Sequence, residues 1–305
     1  MSLIRILGGL LLGAGAVAAW LALAGTLNAR LDALASFMPV FGMVTLLGAL
    51  LCWRSPVLAL VGAGVGLLPV AIAMVPELVR NIPAAPGSGA QVRVLTHNVW
   101  RDNSDPAETA QAIIDANPDV VMLQEVDGNF RPMLDALRQH FGQGTQCPPG
   151  CGLAIFSRWP IAQSDYFLKD SRGRPFGPPL LWAKIVGPDG RPFTAMTMHY
   201  PWPTSELQAE RRRDVAQALL RIDRDPLILG GDMNLTPWSA AMRQQDRAFA
   251  PMTRVTRALA SWRRGLPLLP IDQLYAGPEW GLVDAQRLPA TGSDHYPLLI
   301  TLGRP

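Results

Sequence analysis

The chain has 305 residues, and 49% of them are hydrophobic, which is high for a protein surrounded by water on all sides. That length admits one large domain or two small ones. The net charge is +3, and the first eighty residues hold most of it through four arginines against two acids. About +1 is left for the remainder, too little for strong non-specific attraction to nucleic-acid phosphates. Arginine supplies almost all the basic charge, and only Lys169 and Lys184 break the pattern.

From the N-terminus, three apolar stretches are each long enough to cross a bilayer, which takes roughly 20 residues. They run from about Ile6 to Leu27, from Ala33 to Trp53 and from Pro56 to Val75, punctuated by Arg30, Asp32 and Arg54. The first is too long for the core of a cleaved signal peptide, and two more follow it. A water-soluble bundle would show a polar face on each helix, and these show none. Gly8, Gly9, Gly13, Gly15, Gly62, Gly64 and Gly66 suit close helix packing in lipid, or simply the tolerance of membrane helices for small residues. The positive-inside count is nearly a tie, Arg5 and Arg54 on one side against Arg30 and Arg80 on the other. The short N-terminus favours a cytoplasmic Met1, and three spans then carry everything after Arg80 out of the cytoplasm. Residues 1–80 therefore read as a membrane anchor. Residues 81–90, with Pro83, Pro86, Gly87 and Gly89, read as a linker, and residues 91–305 as a water-exposed domain.

Within that domain Val92–Val99 is a strand by its β-branched content. Asp105-Pro106-Ala107-Glu108 combines an N-cap, a first-turn proline and a capping-box acid, and opens a helix. Asp119–Gln124 is a buried strand, and a helix covers about Phe130 to Phe141. Leu153–Phe156, Leu180–Val186 and Phe193–Met198 are strand-like. Ser205-Glu206-Leu207-Gln208 is a second capping box, for a helix to about Ile222. Pro226–Leu229 is a short strand ending in Gly230-Gly231, and Leu268–Tyr275, Leu282–Ala285 and Leu298–Leu302 complete the strands. Strands and helices interspersed in this way give an α/β class.

Functional groups of α/β sheets gather where strands run into loops. Six such places carry unusual polar residues: Leu95-Thr96-His97-Asn98-Val99, Leu123-Gln124-Glu125-Val126, Met196-Thr197-Met198-His199, Leu229-Gly230-Gly231-Asp232-Met233-Asn234, Pro270-Ile271-Asp272-Gln273-Leu274 and Gly292-Ser293-Asp294-His295-Tyr296-Pro297. In this order the set resembles the endonuclease/exonuclease/phosphatase superfamily, over about residues 92 to 302. That group includes pancreatic-type deoxyribonuclease, apurinic endonucleases, sphingomyelinases and inositol polyphosphate phosphatases. Gly-Asp-Met-Asn after an apolar strand and Ser-Asp-His-Tyr-Pro near the C-terminus are the most specific parts. The resemblance implies two packed β-sheets flanked by helices, a four-layer sandwich, here preceded by the three transmembrane helices.

It also implies hydrolysis of a phosphoester, which needs a charge clamp, an activated water and protonation of the leaving group. Glu125 is a hard oxygen ligand suited to Mg²⁺ or Mn²⁺. Asn98 would help to hold the metal or its water, an assignment that leans on the resemblance. Asp232 would orient or deprotonate the attacking water, and Asn234 would donate to the phosphate. His199 and His295 would supply protons or hydrogen bonds. Asp272 would orient His199, and Asp294 would sit at the metal or orient His295. His97 should point to the face opposite Asn98, because strand side chains alternate, and reads as structural, as does His140.

Subfamily signatures are mostly missing. Leu235-Thr236-Pro237-Trp238-Ser239 follows Asn234 where inositol phosphatases have an aromatic-arginine continuation. Tyr200-Pro201-Trp202-Pro203 after His199 resembles uncharacterised bacterial membrane-bound members, and Trp202 could wall a substrate ring or acyl chain or pack within its own domain. Arg172 and Arg174, in a Gly/Pro-rich loop, are candidates for an anionic substrate, whereas Arg211-Arg212-Arg213 reads as a solvated helix surface. Cys147-Pro148-Pro149-Gly150-Cys151 fits a structural disulfide in an oxidising compartment better than a metal site or a redox pair. Cys52, inside a span, reads as an inert core residue.

The expectation is a plasma-membrane hydrolase of phosphodiesters or phosphomonoesters, with its domain outside the cytoplasm and a lipid or envelope-associated substrate. A membrane-anchored nuclease is the nearest alternative, and a catalytically silent binding domain is a more distant one. The absence of ionisable residues within the spans argues against transport.

Overall fold

The computed structural model describes residues 3–87, 89–265 and 268–305. The chain forms two compact units. The first comprises Met1–Arg80 with Trp202–Ala209 and Leu235–Gln244, and the second comprises the rest.

In the first unit, α1 (Leu3–Leu23), α2 (Ala29–Ala33), α3 (Met38–Leu51) and α4 (Pro56–Val79) follow one another. Three stretches, Leu3–Thr26, Ala29–Leu51 and Pro56–Val79, are long and apolar enough to cross a membrane. The second is not one continuous α-helix. Leu34–Phe37 is a 3₁₀ turn, and α3 restarts with Pro39 in its first turn, where the missing N–H costs nothing. The glycines divide by face. A Cβ on Gly15 would lie 2.5 Å from Thr45 Oγ1, and one on Gly48 would lie 2.7 Å from Leu12 N, so these positions let the helices approach closely. Gly9, Gly13 and Gly64 have nothing within 4 Å and are merely tolerated. Trp238 packs with Ala19, Ala22, Ala35, Met38 and Ala73.

In the second unit the elements are β1 (Ala90–Asn98), α5 (Pro106–Asp115), β2 (Val120–Gln124), α6 (Arg131–Phe141), β3 (Gln143–Gln146), β4 (Leu153–Ser157), β5 (Ile161–Asp165), β6 (Leu168–Lys169), β7 (Pro175–Phe176), β8 (Leu181–Val186) and β9 (Pro192–His199). There follow α7 (Glu206–Leu219), β10 (Leu227–Asp232), α8 (Ala240–Phe249), β11 (Thr253–Arg254), β12 (Asp272–Ala276), β13 (Gly281–Arg287) and β14 (Leu298–Arg304), of which α7 and α8 begin in the segments assigned to the first unit. Asp105 caps α5 as its sequence requires, accepting from Glu108 N at 2.8 Å.

One six-stranded sheet has the order β13-β14-β1-β2-β4-β3, and the other has β11-β12-β10-β9-β8-β5. Between them Val92, Val94, Met122 and Ile155 meet Ala183, Ala195, Ile228 and Leu274 in one apolar core. On the outer face of the first sheet, Leu95, Val121, Leu123 and Phe156 pack on Ile113, Leu134 and Leu137 of α5 and α6. Period-two alternation thus splits β1 between two cores. Pro83, Ala84 and Ala85 run along the β13 edge of the first sheet, where Leu282 donates to Pro83 O and accepts from Ala85 N. The strand expected from Leu268 begins only at Asp272, because Pro270 has no N–H to pair.

This topology positions the polar strand ends. β1 and β2 are parallel, with Asn98 opposite Gln124, and β9 and β10 are parallel, with His199 opposite Asp232. β12 is antiparallel to β10 and starts at Asp272, opposite Asp232. The C-terminal ends of four strands and the start of a fifth therefore carry candidate site residues, and the loop before β14 adds Asp294 and His295.

Candidate active site

Asp232 lies at the centre. It is buried at the end of β10, and four polar nitrogens surround its Oδ2. Asn98 Nδ2 donates to it at 3.0 Å and Asn234 Nδ2 at 3.4 Å, while His199 Nε2 and His295 Nε2 each lie 3.6 Å away. Its Oδ1 accepts from the Asn234 backbone N–H at 2.8 Å, a tight Asx turn. Asn98 Nδ2 also donates to Glu125 Oε1 at 2.9 Å, so one amide links the two carboxylates across the sheets, and its Oδ1 accepts from Trp100 N. Glu125 Oε1 lies 3.8 Å from His199 Nε2. Asn234 Nδ2 contacts both Tyr200 O at 2.7 Å and His199 Nε2 at 3.3 Å.

The backbone is held out of ordinary conformations at two of these residues. Glu125 and Asn234 have φ of 59° and 49°, a region that costs a non-glycine residue about 1–3 kcal/mol and persists where the surroundings enforce it. Gly231 makes the approach of β10 to β9 feasible. Its φ is 146°, and a Cβ there would lie 1.9 Å from Met198 O.

His295 forms the second half of the site. Its Nδ1 meets Asp272 Oδ2 at 2.8 Å, and its own N–H donates to Ser293 Oγ, which in turn donates to Asn98 O. The expected pairing of Asp272 with His199 is therefore corrected. Two strand spacings separate β12 from β9 with β10 between them, whereas the loop before β14 brings His295 directly against Asp272. Asp294 Oδ1 lies 4.0 Å from His295 Nε2, beyond hydrogen-bond distance.

Burial and charge set the protonation of these groups. Burial works against a charged His295, but Asp272 and Asp232 outweigh it and raise its pKa to about 9. Asp232 is pushed above the usual carboxylate range by burial, with the Asp272 charge adding to the shift and the histidines opposing it. Asp272 is also buried, yet the charge and hydrogen bond of His295 hold it low. Burial raises Glu125, but donation from Asn98 and from the Arg101 N–H reverses the shift and lowers it. His97 is buried on the other face of β1, with Nε2 3.2 Å from Thr291 Oγ1, as its structural reading requires.

Two clusters have ligand atoms close enough to share a cation, Glu125–His199–Asp232 and Asp232–Asp272–His295, and Asp294 falls in neither. Its Oδ1 is nevertheless buried without a hydrogen-bond partner among the described residues, an acceptor that a hard cation or its water would satisfy. A carboxylate-dominated set of this kind fits Mg²⁺ or Mn²⁺.

Arg172 and Arg174 lie at the tip of the β6–β7 hairpin, where Arg174 pairs with Asp170 at 2.8 Å. No hydrogen bond or ion pair joins either to the Asp232 group among the described residues. Trp202 is exposed and begins a turn in which its carbonyl accepts from Ser205 N. Trp262 had no sequence signal. Its indole donates to Asp294 Oδ2 at 2.8 Å, and only the pairing of Ser261, Trp262 and Arg264 with Asp294, His295 and Tyr296 reveals the contact. Cys147 and Cys151 are disulfide-bonded, with Cα atoms 5.8 Å apart. Gly152, the residue after the closed loop, accepts from Val126 N, directly after Glu125.

The sequence model of the Endonuclease/Exonuclease/phosphatase family matches residues 95–295. No curated protein matches the chain significantly. Among solved structures, the endonuclease/exonuclease/phosphatase from Bacteroides vulgatus is similar at 21% identity and a TM-score of 0.56, over 71% of this chain and 100% of that one. Danio rerio TDP2 complexed with a single-strand DNA product is similar at 18% and 0.56, over 70% and 99%. Beta toxin from Staphylococcus aureus with bound magnesium ions is similar at 17% and 0.52, over 69% and 99%. At these identities the likenesses show the fold.

Proposed function

The chain belongs to the endonuclease/exonuclease/phosphatase family, and on that footing we propose that it is a membrane-anchored, divalent-metal-dependent hydrolase of phosphoester bonds. In this reading residues 1–80 are the anchor, and residues 91–305 are the catalytic domain, outside the cytoplasm. The observation that carries the proposal is the convergence of Asn98, Glu125, His199, Asn234 and His295 on the buried Asp232.

Glu125 and Asp294 would hold Mg²⁺ or Mn²⁺, and Asn98 would fix Glu125 in place. Such an ion, when bound, neutralises charge developing on the phosphoryl oxygens; in the similar beta toxin the ion is magnesium. Asp232, its basicity raised by burial, orients and deprotonates the attacking water. Asn234 and His199 donate hydrogen bonds to phosphoryl oxygens. His295, kept protonated by Asp272, donates a further hydrogen bond or a proton as the leaving group departs.

A lipid or envelope phosphoester is the favoured substrate class, because the anchor confines the enzyme to a surface and the domain's charge is near balance. Nucleic acid is less favoured for the second of those reasons. The full-length protein in detergent would be offered phospholipids, nucleotides and DNA with Mg²⁺ or Mn²⁺. Turnover of a phosphoester lipid with weak, unspecific nuclease action is expected. Tight DNA binding with a steep salt dependence would overturn the substrate assignment.

A further inference from the structure

A protonated histidine has one N–H donor on each ring nitrogen, and His295 has carboxylates facing both. Asp272 takes Nδ1 at 2.8 Å, while Asp232 Oδ2 and Asp294 Oδ1 face Nε2 from 3.6 Å and 4.0 Å. A move of roughly 1 Å would bring Asp294 into hydrogen-bond range of Nε2. Both donors of the ring would then be spent on carboxylates, and neither would be left for a substrate. The last torsion of an aspartate is broad, so the side chain's own geometry does not prevent that move.

Trp262 does prevent it. Its indole Nε1–H donates to Asp294 Oδ2 at 2.8 Å, a bond strengthened by the charge of the carboxylate. Oδ1 is left buried and without a hydrogen-bond partner among the described residues. The main chain fixes where the indole starts from. Trp262 pairs with His295 in an antiparallel bridge, Arg264 N donates to Asp294 O at 2.7 Å, and Tyr296 N donates to Ser261 O at 2.8 Å. Ser261 Oγ also accepts from Asp272 N at 3.3 Å, at the start of β12. One short segment therefore touches both the carboxylate that takes Nδ1 and the carboxylate kept away from Nε2. All of these residues belong to the second unit.

We propose that Trp262 is a positioning residue: by holding Asp294 Oδ2 it leaves Oδ1 open to a divalent cation and His295 Nε2 open to the substrate. The kinetic consequence rests on the hydrolase reading, whereas the hydrogen bond and its effect on cation affinity do not need turnover to be measured.

The test uses the full-length chain in detergent, with Trp262→Phe, which keeps an aromatic ring and removes the donor. Mn²⁺ affinity, read by electron paramagnetic resonance, should fall about tenfold, the scale for losing a group that orients a metal ligand. At saturating Mn²⁺, kcat for a chromogenic phosphodiester should also fall about tenfold, at nearly unchanged KM. In an Asp294→Ala background Trp262→Phe should cost little more in either measure, because its effect passes through that carboxylate. A further measurement needs no altered Trp262. With isotope-labelled tryptophan, the Trp262 indole N–H signal should be protected from solvent exchange and broadened by Mn²⁺ but not by Mg²⁺, and Asp294→Ala should remove the protection. Unchanged Mn²⁺ affinity or kcat in Trp262→Phe, losses that multiply in the double variant, or an indole signal that Mn²⁺ leaves sharp would each overturn the proposal. A wild-type chain that binds Mn²⁺ but hydrolyses no phosphoester would overturn the hydrolase reading instead, and the affinity and indole results would then decide the positioning role.

Discussion

At the scale of the residue, charge compensation around two histidines has measurable consequences. His295 is protonated in the folded protein up to about pH 9 because Asp272 and Asp232 outweigh the cost of its burial. If it acts as a donor, kcat/KM should fall as pH rises through that value. Asp272→Asn removes the nearest compensating charge, so the falling limb should move to lower pH by a unit or more, as a pH–rate profile would show; an unmoved limb would remove His295 from the proton inventory. His97 behaves in the opposite sense. Burial, with the charge of His295 adding to it and Asp272 opposing, lowers its pKa to about 3. The unfolded chain takes up a proton near pH 6.5 that the folded one refuses until about 3, so the contribution is complete above pH 6.5 and is lost as pH falls between those values. The loss is at most about 1.4 kcal/mol per pH unit. Denaturant titrations from pH 7 to 4 should show that slope, and His97→Gln should flatten it.

At the scale of the element, the strand ends were legible because each brings an apolar run to a stop on a distinctive polar cluster. Both sheets bring those ends together, so the six motifs hold the residues that gather around Asp232 and His295. What the sequence did not reveal depends on packing between distant segments. The cap of α8 comes partly from Asp32, 208 residues away from Ala240, and Ala240–Phe249 has no strong start signal of its own. The carboxylate partner of His295 was assigned to the wrong histidine because strand order is not written in the chain. Edge strands β3 and β5 escaped notice because Gln143–Gln146 and Ile161–Asp165 are short and largely polar, as edges tend to be. Gly231 allows an element-scale test. Gly231→Ala must separate β9 from β10 or strain the backbone, and it should destabilise the chain by about 2 kcal/mol or more in chemical denaturation, with activity lost in parallel. A fully stable, active Gly231→Ala protein would contradict the register given for those strands. The Cys147–Cys151 bond spans a short loop, worth ~2 kcal/mol by chain entropy, and the double serine variant should lose about that much.

At the scale of the whole molecule, three stretches long and apolar enough to cross a membrane precede a region that matches the endonuclease/exonuclease/phosphatase family. The topology proposed above puts the remainder outside the cytoplasm, in keeping with three stretches long and apolar enough to cross a membrane and with a disulfide that suits an oxidising compartment. Within the first unit, Asp32 and Ala35 of the second apolar stretch accept hydrogen bonds from Trp238, Ala240 and Ala241. A C-terminal alkaline phosphatase fusion should be active and a fluorescent-protein fusion exported by the same route dark; a bright cytosolic fusion would reverse the topology. The central claim is that Asp232, with the carboxylates and histidines around it, carries out metal-dependent phosphoester hydrolysis. The most direct measurement is turnover of a phosphodiester by the full-length protein, with and without chelator, beside folded Asp232→Asn. The account predicts that chelation abolishes turnover, that Mg²⁺ or Mn²⁺ restores it, and that Asp232→Asn lowers kcat by about 10² or more. Full activity in chelator, or in folded Asp232→Asn, would contradict it.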